Sequence, residues 1–284
     1  MKKLISTYLI SILITTSNQV FSFDLIEGVN EFNSGNYMEA YEIFIRFAEN
    51  GDPIAQHNLG VMYLNGLGVK KDYYTAVNWY RLAADQRHPG ALYNLGLMYQ
   101  NGVGVEQNHD NALYFLHEAA YLGQAMAQAH LGLLYQEGII VPQSDSEAVR
   151  WYRAAAEQGD LVGQTNLGYM YRVGRGVSQS DTEAAKWYRS AAVQGKAHAQ
   201  ANLGALYRQG IGVPQNYMEA ARWYHLAAEQ GHASAQFNLA LSYYNGDGVS
   251  QDFIKAYFWA DLASSQGHQQ AIKLRDNLSK EINR

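Results

Sequence analysis

A period of 36 residues runs through most of this chain and limits what it can fold into. One position of the period holds every tryptophan, with Phe115 in the slot that lacks one: Trp79, Trp151, Trp187, Trp223 and Trp259. A second position holds six tyrosines: Tyr63, Tyr99, Tyr135, Tyr171, Tyr207 and Tyr243. Successive copies in register, with no insertion between them, predict repeated units that bury their apolar surfaces against their neighbours.

Each copy has the pattern of a helical hairpin. In the first copy, residues 52–65 and residues 73–86 each carry an apolar stripe at helical spacing. The glycine loop at 66–68 separates them, because glycine readily adopts the left-handed conformation that follows a helix end. Asp72 stands where a side-chain oxygen can cap the second helix. The sequence therefore predicts an all-α fold, a right-handed superhelical α-solenoid of helix-turn-helix repeats.

Glycine also recurs inside the first helix of five copies: Gly60, Gly96, Gly132, Gly168 and Gly204. A glycine in a helix interior costs about 1 kcal/mol relative to alanine. Its recurrence at one position predicts that two helices approach closely there, with large Trp and Tyr side chains of the facing helix filling the remaining space.

The first residues have the pattern of a secretory signal peptide over 1–22. Two lysines precede an apolar stretch at 4–14, and the small residues Val20 and Ser22 suit cleavage near Ser22 and Phe23. A membrane anchor is the alternative, but a span needs roughly 20 apolar residues. We therefore expect a periplasmic or secreted protein without stable membrane insertion after cleavage.

The period divides the rest of the chain. We expect an N-terminal tetratricopeptide-like capping unit at 23–51 and a C-terminal capping helix at 268–284. Between them lie six repeats, at 52–87, 88–123, 124–159, 160–195, 196–231 and 232–267.

One motif describes these copies: A-x-x-N-L-G-x-x-Y-x-x-G-x-G-V followed by A-x-x-W-Y-x-x-A-A-x-x-G, clearest at 199–231 and 163–195. It resembles the Sel-one-like repeat, a relative of the tetratricopeptide repeat. The resemblance implies an α-solenoid that binds other proteins, similar in build to exported bacterial members. Three residues depart from the motif: Leu92 replaces a glutamine, Ala240 a helix glycine and Ile140 a loop glycine. A different turn geometry is expected at Ile140.

Composition excludes several kinds of function. The chain has no cysteine, which rules out disulfides, cysteine-ligated metals and thiol catalysis. A formal charge of −5 gives no electrostatic reason to bind nucleic acid. The nine histidines form no H-E-x-x-H motif and are expected in surface or packing roles. No G-x-S-x-G is present. We expect no catalytic residue, no cofactor and no metal site.

The candidate binding residues lie on the first helices. One row is a ladder of amides with His130 in the remaining slot: Asn58, Asn94, Asn166, Asn202 and Asn238. Each amide can both donate and accept, so the ladder can hold the backbone of an extended peptide. Alternatively, the amides bond to neighbouring repeats and stabilise the stack.

Positions that vary between copies are more informative about a ligand, because the scaffold does not dictate them. One such row contains Val61, Leu97, Leu133, Tyr169, Ala205 and Leu241. Another contains Leu64, Gln100, Gln136, Arg172, Arg208 and Tyr244. These rows predict a partly apolar groove with a cationic centre at Arg172 and Arg208, suited to an extended or helical segment with an acidic group. Solvated surface charge is the alternative.

The favoured function is protein–protein interaction, with another protein or peptide segment bound through the concave face of the solenoid in the bacterial envelope. A secreted adaptor that contacts host cells is a second possibility. A β-lactam or peptidoglycan hydrolase is a third, suggested by the link between cysteine-rich relatives of the repeat and β-lactam handling. The absence of cysteine weakens that link.

Overall fold

The computed structural model describes residues 24–282, and every regular element in that range is an α-helix. The fifteen helices are α1 (24–34), α2 (Tyr37–Glu49), α3 (Pro53–Asn65), α4 (Tyr73–Asp85), α5 (Pro89–Asn101), α6 (His109–Tyr121), α7 (Ala125–Glu137), α8 (Asp145–Glu157), α9 (Leu161–Val173), α10 (Asp181–Ala192), α11 (Ala197–Gln209), α12 (Tyr217–Glu229), α13 (Ala233–Asn245), α14 (Phe253–Ser265) and α15 (Gln269–Ile282). The predicted all-α fold of helix-turn-helix repeats is confirmed. The proposed signal peptide and its cleavage site lie outside the described residues.

The chain divides into two compact units, one ending at Ala127 and the other beginning at Gln128. In the first unit, the helices from α2 to α6 pack each against the next along the chain. In the second unit, the helices from α8 to α15 pack in the same way. Within each unit, every first helix therefore lies between the second helix of its own copy and that of the copy before.

Side-chain caps begin the second helices of all six copies. The backbone N–H groups of the first turn donate to Asp72, Asn108, Ser144, Ser180, Asn216 and Asp252. These residue types satisfy the N–H groups that a helix start leaves without partners. The predicted cap at Asp72 is confirmed, with Oδ1 3.0 Å from the Tyr74 nitrogen and 3.3 Å from the Thr75 nitrogen.

The loop before α8 does not have the different geometry expected from its sequence. Ile140 has φ 55°, close to the φ of 67° at Gly68 and 70° at Gly104. A β-branched residue is strained in this left-handed region. The expectation was wrong because the repeat imposes its turn even on a residue that disfavours it.

The helix glycines are packed as predicted. A Cβ at Gly132 would lie 2.5 Å from Cδ1 of the Tyr152 ring, and a Cβ at Gly204 would lie 2.8 Å from that of Tyr224. Both tyrosine side chains are almost completely buried. The missing side chain in the first helix therefore makes room for a tyrosine of the second.

In five copies, a buried glutamine of the first helix is joined to the end of the second helix of the same copy. Each accepts a hydrogen bond from a second glutamine thirty residues later, in the pairs Gln56–Gln86, Gln128–Gln158, Gln164–Gln194, Gln200–Gln230 and Gln236–Gln266. In the second copy, both positions of the pair hold leucine instead, Leu92 and Leu122. The departure at Leu92 is therefore one half of a paired replacement.

Replacing Gln200 by leucine is expected to lower the free energy of unfolding by about 1–2 kcal/mol. The change removes the bond from Gln200 Nε2 to the Ala192 carbonyl, at 3.1 Å, and the bond from Gln230 Nε2, at 2.8 Å. The double variant Gln200→Leu with Gln230→Leu recreates the leucine pair of the second copy, so we expect it to regain much of the loss. Urea unfolding of Gln200→Leu, Gln230→Leu and the double variant measures these free energies. A double variant whose loss equals or exceeds the sum of the two single losses would contradict this account.

Candidate protein-binding surface

The asparagine ladder lies on the first helices, where all its side chains and His130 are half-buried. Asn94 Nδ2 lies 3.2 Å from His57 Nε2 of the preceding copy. Asn238 Oδ1 accepts a hydrogen bond of 3.3 Å from Nη1 of Arg208, also in the preceding copy. In both cases the amide bonds to a neighbouring repeat, as expected if the ladder stabilises the stack of repeats.

Three members of the second variable row, Gln136, Arg172 and Arg208, lie near the hydroxyl groups of buried tyrosines. The Tyr152 hydroxyl donates to Gln136 Oε1 at 2.9 Å. Burial raises the pKa of Tyr188 and of Tyr224 to about 12, while the nearby guanidinium groups of Arg172 and Arg208 act in the opposite direction. These hydroxyls therefore stay protonated, and they form a polar layer beneath the surface of the first helices.

The two arginines of the predicted cationic centre differ in their surroundings. Arg172 Nη1 lies 3.5 Å from Asp181 Oδ1, so a carboxylate already partly compensates its charge. Arg208 is half-buried and hydrogen-bonded to Asn238, and no carboxylate within residues 24–282 forms an ion pair with it. Arg208 therefore carries the uncompensated positive charge of this surface.

A third arginine, which the sequence did not single out, belongs to the same region. Arg175 forms two hydrogen bonds with the Asp145 carboxylate, 3.0 Å from Nε and 2.7 Å from Nη2. These bonds raise the pKa of Arg175. The signal that could have found it is Arg175 itself, because four other copies hold an apolar residue at the corresponding loop position.

The first variable row is accessible to solvent to different degrees. Tyr169 and Leu133 are exposed, at 40% and 39%. The other members are half-buried: Val61, Leu97, Ala205 and Leu241. At the end of the second row, the Tyr244 ring lies 5.7 Å from that of Phe253. In the second unit, the surface thus combines aromatic rings with the Arg208 guanidinium.

Comparison with known proteins identifies the repeat. The family model of the Sel1 repeat matches six consecutive segments, at 53–88, 89–124, 125–160, 161–196, 197–232 and 233–268. The chain belongs to the Sel1 repeat family. Sel1 repeats usually bind proteins, and proteins built from them are generally scaffolds without enzymatic activity.

Two solved structures are similar to this Sel1 protein over most of its length. A Sel1 repeat protein from Oxalobacter formigenes is 35% identical, with a TM-score of 0.78, over 85% of this chain and 99% of that one. A protective antigen present in uropathogenic Escherichia coli strains, which displays an SLR fold, is 33% identical, with a TM-score of 0.77. That match covers 90% of this chain and 56% of the antigen.

One curated relative is similar over a single repeat. It is the ERAD-associated E3 ubiquitin-protein ligase component HRD3B of Arabidopsis thaliana, 57% identical over 37 residues. The match covers 13% of this chain and only 6% of that protein.

Three histidines of the Sel1 copies have a role that sequence reasoning missed. His88 and His232 precede first helices and His268 precedes α15. The Nδ1 atom of each accepts a hydrogen bond from a backbone N–H three residues later. His88 also stacks on His57, with ring centroids 4.6 Å apart. Burial lowers the pKa of His57 to about 4, with a further contribution from His88, and it also lowers the pKa of His88.

The described residues contain no group of three or more His, Cys, Asp or Glu side chains that could hold a metal ion. Among helices α1 to α15, none is long and apolar enough to cross a membrane.

Proposed function

We propose that this Sel1 protein is an exported scaffold that binds a segment of another protein along the first helices of its second unit, through its concave face. The observation that carries the proposal is Arg208. Its guanidinium is half-buried, held by Asn238, and without a carboxylate partner among residues 24–282. A partner that supplies an acidic group completes this arrangement.

The chemistry of the surface favours a segment with both acidic and apolar side chains. A guanidinium binds a carboxylate through two parallel hydrogen bonds, which adds orientation to charge attraction. Tyr169 and Tyr244 offer aromatic surface, and aromatic residues with arginine are the types that dominate binding energy in protein interfaces. Arg172 contributes less, because Asp181 already compensates it.

Quantitative affinity capture from the cell envelope and the culture fluid tests the proposal. Arg208→Ala is expected to lower the recovery of the partner by about tenfold, since a charge-assisted hydrogen bond contributes roughly 1.5–3 kcal/mol. Arg172→Ala is expected to have a smaller effect. Arg222→Ala is the matched control, because Arg222 is exposed on the second helix α12 and pairs with Glu219. Equal recovery with Arg208→Ala and Arg222→Ala would contradict the proposal.

Export is part of the proposal and is supported by the pattern of residues 1–22. N-terminal sequencing of the protein from its native cells is expected to begin near Phe23, and fractionation distinguishes periplasm from culture fluid. A start at Met1 would contradict export.

A secreted adaptor that contacts host cells is the second candidate, supported by the likeness to the protective antigen of uropathogenic Escherichia coli. Under this proposal, the protein is recovered from culture fluid and binds host cells through the same surface, so Arg208→Ala weakens that binding. A hydrolase is the competing class. Turnover of β-lactams or peptidoglycan by the purified protein would overturn the scaffold proposal.

A further inference from the structure

The loop between α3 and α4 differs from the corresponding loops of the other copies. Five copies have a glutamine at one loop position: Gln107, Gln143, Gln179, Gln215 and Gln251. Four of these side chains close their loop by donating to a backbone carbonyl seven residues earlier, at 2.8–2.9 Å. The first copy has Lys71 there, preceded by Lys70. The ammonium group of Lys71 thus replaces a loop-closing amide, and that of Lys70 lies next to it in the sequence.

These lysines border a surface pocket of about 540 Å³. Its walls are formed by Met38 and Tyr41 of α2, Tyr63 of α3, and the loop residue Val69. The hydroxyl oxygens of Tyr41 and Tyr63 lie 3.2 Å apart. Met38 is 59% exposed. The pocket therefore presents apolar and aromatic surface beside positive charge, and its size lies within the range of small-ligand sites.

The positive charge of the pocket is only partly compensated from within it. Asp72 is the one acidic residue in the lining, and its carboxylate accepts hydrogen bonds from the Tyr74 and Thr75 nitrogens and from the Thr75 hydroxyl. The Thr75 hydroxyl bond and the backbone bonds lower the pKa of Asp72, and the nearby charge of Lys70 adds to this effect. Within residues 24–282, neither lysine forms an ion pair, although Lys71 Nζ lies 4.8 Å from the Tyr73 ring.

The next copy provides an internal comparison. Its corresponding pocket, of about 470 Å³, is lined by Tyr99, Arg81, Glu106 and Gln107. Arg81 donates to the Tyr99 hydroxyl at 2.9 Å, and Gln107 closes the loop. The repeat thus builds the same depression twice in the first unit, and only the first of the two is bordered by two ammonium groups, which exceed the single carboxylate beside them.

We propose that the pocket bounded by Lys70 and Lys71 binds an acidic segment of a partner protein. An apolar side chain of the segment packs against Met38, Tyr41 and Val69, and the carboxylate of an adjacent residue pairs with the two ammonium groups. Because the chain as a whole carries a formal charge of −5, general attraction does not bring an acidic segment to it. A local site is required.

A fluorescein-labelled hexapeptide of alternating glutamate and leucine is the probe. The variant Lys70→Glu with Lys71→Gln gives the first loop the residues of the second, which folds with them, and circular dichroism checks that folding is retained. At low ionic strength we expect the native protein to bind the probe at least about tenfold more tightly than the variant, with the difference shrinking as salt screens the charges. A lysine–leucine hexapeptide is expected not to bind.

Carbodiimide coupling locates the probe, because it joins a carboxylate to an amine only where the two are in contact. Mass spectrometry is expected to find the product on Lys70 or Lys71, and not on the exposed lysines Lys186, Lys255 and Lys273. Arg208→Ala is expected to leave this product unchanged, which separates the pocket from the surface of the second unit. No binding, equal affinity in the variant, or coupling spread evenly over the lysines would overturn the proposal.

Discussion

The Gly132→Ala variant is expected to lose about 1–3 kcal/mol of unfolding free energy, although alanine is the better helix former. Its Cβ would lie 2.5 Å from Cδ1 and 2.6 Å from Cε1 of the Tyr152 ring. The ring is fully buried, and its hydroxyl is held by Gln136 at 2.9 Å. The tyrosine therefore has no free space into which to move, and the two helices must separate instead.

The sixth copy supplies a control of opposite sign. Ala240 occupies the same repeat position as Gly132. Its copy has Ala260 at the position where the third copy has Tyr152. Ala240→Gly is expected to cost about 1 kcal/mol through helix propensity, and the loss of its buried methyl group adds to this cost. Alanine at this repeat position is thus expected to destabilise the third copy and to stabilise the sixth. Urea unfolding of both variants measures this, and stabilisation by Gly132→Ala would show that the tyrosine does not depend on the glycine.

Much of the fold could be predicted because the determining contacts are local or repeat in register. The 36-residue period predicted two helices in each copy, and Gly132 with its equivalents indicated close helix packing. The glutamine pairs were not predicted, because they join residues thirty apart whose proximity depends on how the two helices of one copy pack on each other. Joint replacement of Leu92 and Leu122 was the available signal.

The candidate surface was less predictable, because charge compensation depends on side-chain geometry. Arg172 and Arg208 are equivalent in sequence, yet Arg172 lies beside Asp181 and Arg208 beside Asn238. Periodicity placed both on one row and could not tell which carboxylates reach them. Periodicity could not assign a role to the asparagine ladder either, because its repetition is compatible with peptide binding and with bonds between repeats.

Acid is expected to weaken the contact between His57 and His88. His57 Nε2 lies 3.2 Å from Asn94 Nδ2, and its ring also packs 5.7 Å from that of Tyr80. His88 Nδ1 accepts from the backbone and cannot do so once protonated. Asp52 is the nearby carboxylate; it favours protonation of His88 but does not outweigh the effect of burial.

The direction of the pH dependence follows from the lowered pKa of His57. The unfolded chain takes up this proton near pH 6.5 and the folded chain near pH 4, so stability is fully present above 6.5 and falls as the pH decreases toward 4. At pH 5 the loss is about 2 kcal/mol, from 1.36 kcal/mol for each pH unit. His130 and His232, whose pKa values are also lowered by burial, add to the same trend.

His57→Phe is expected to remove about 2 kcal/mol of the stability difference between pH 7 and pH 5. The sixth copy shows that phenylalanine fits this position, because Phe237 stacks on His268 with centroids 4.7 Å apart. Urea unfolding at both pH values measures the difference, with His109→Gln as the control on an exposed histidine. An unchanged pH dependence in His57→Phe would show that this buried ring does not couple folding to protonation. Phenylalanine preserves the stack and removes the titrating group, and the lost contact with Asn94 lowers stability at both pH values, so it cancels in the difference.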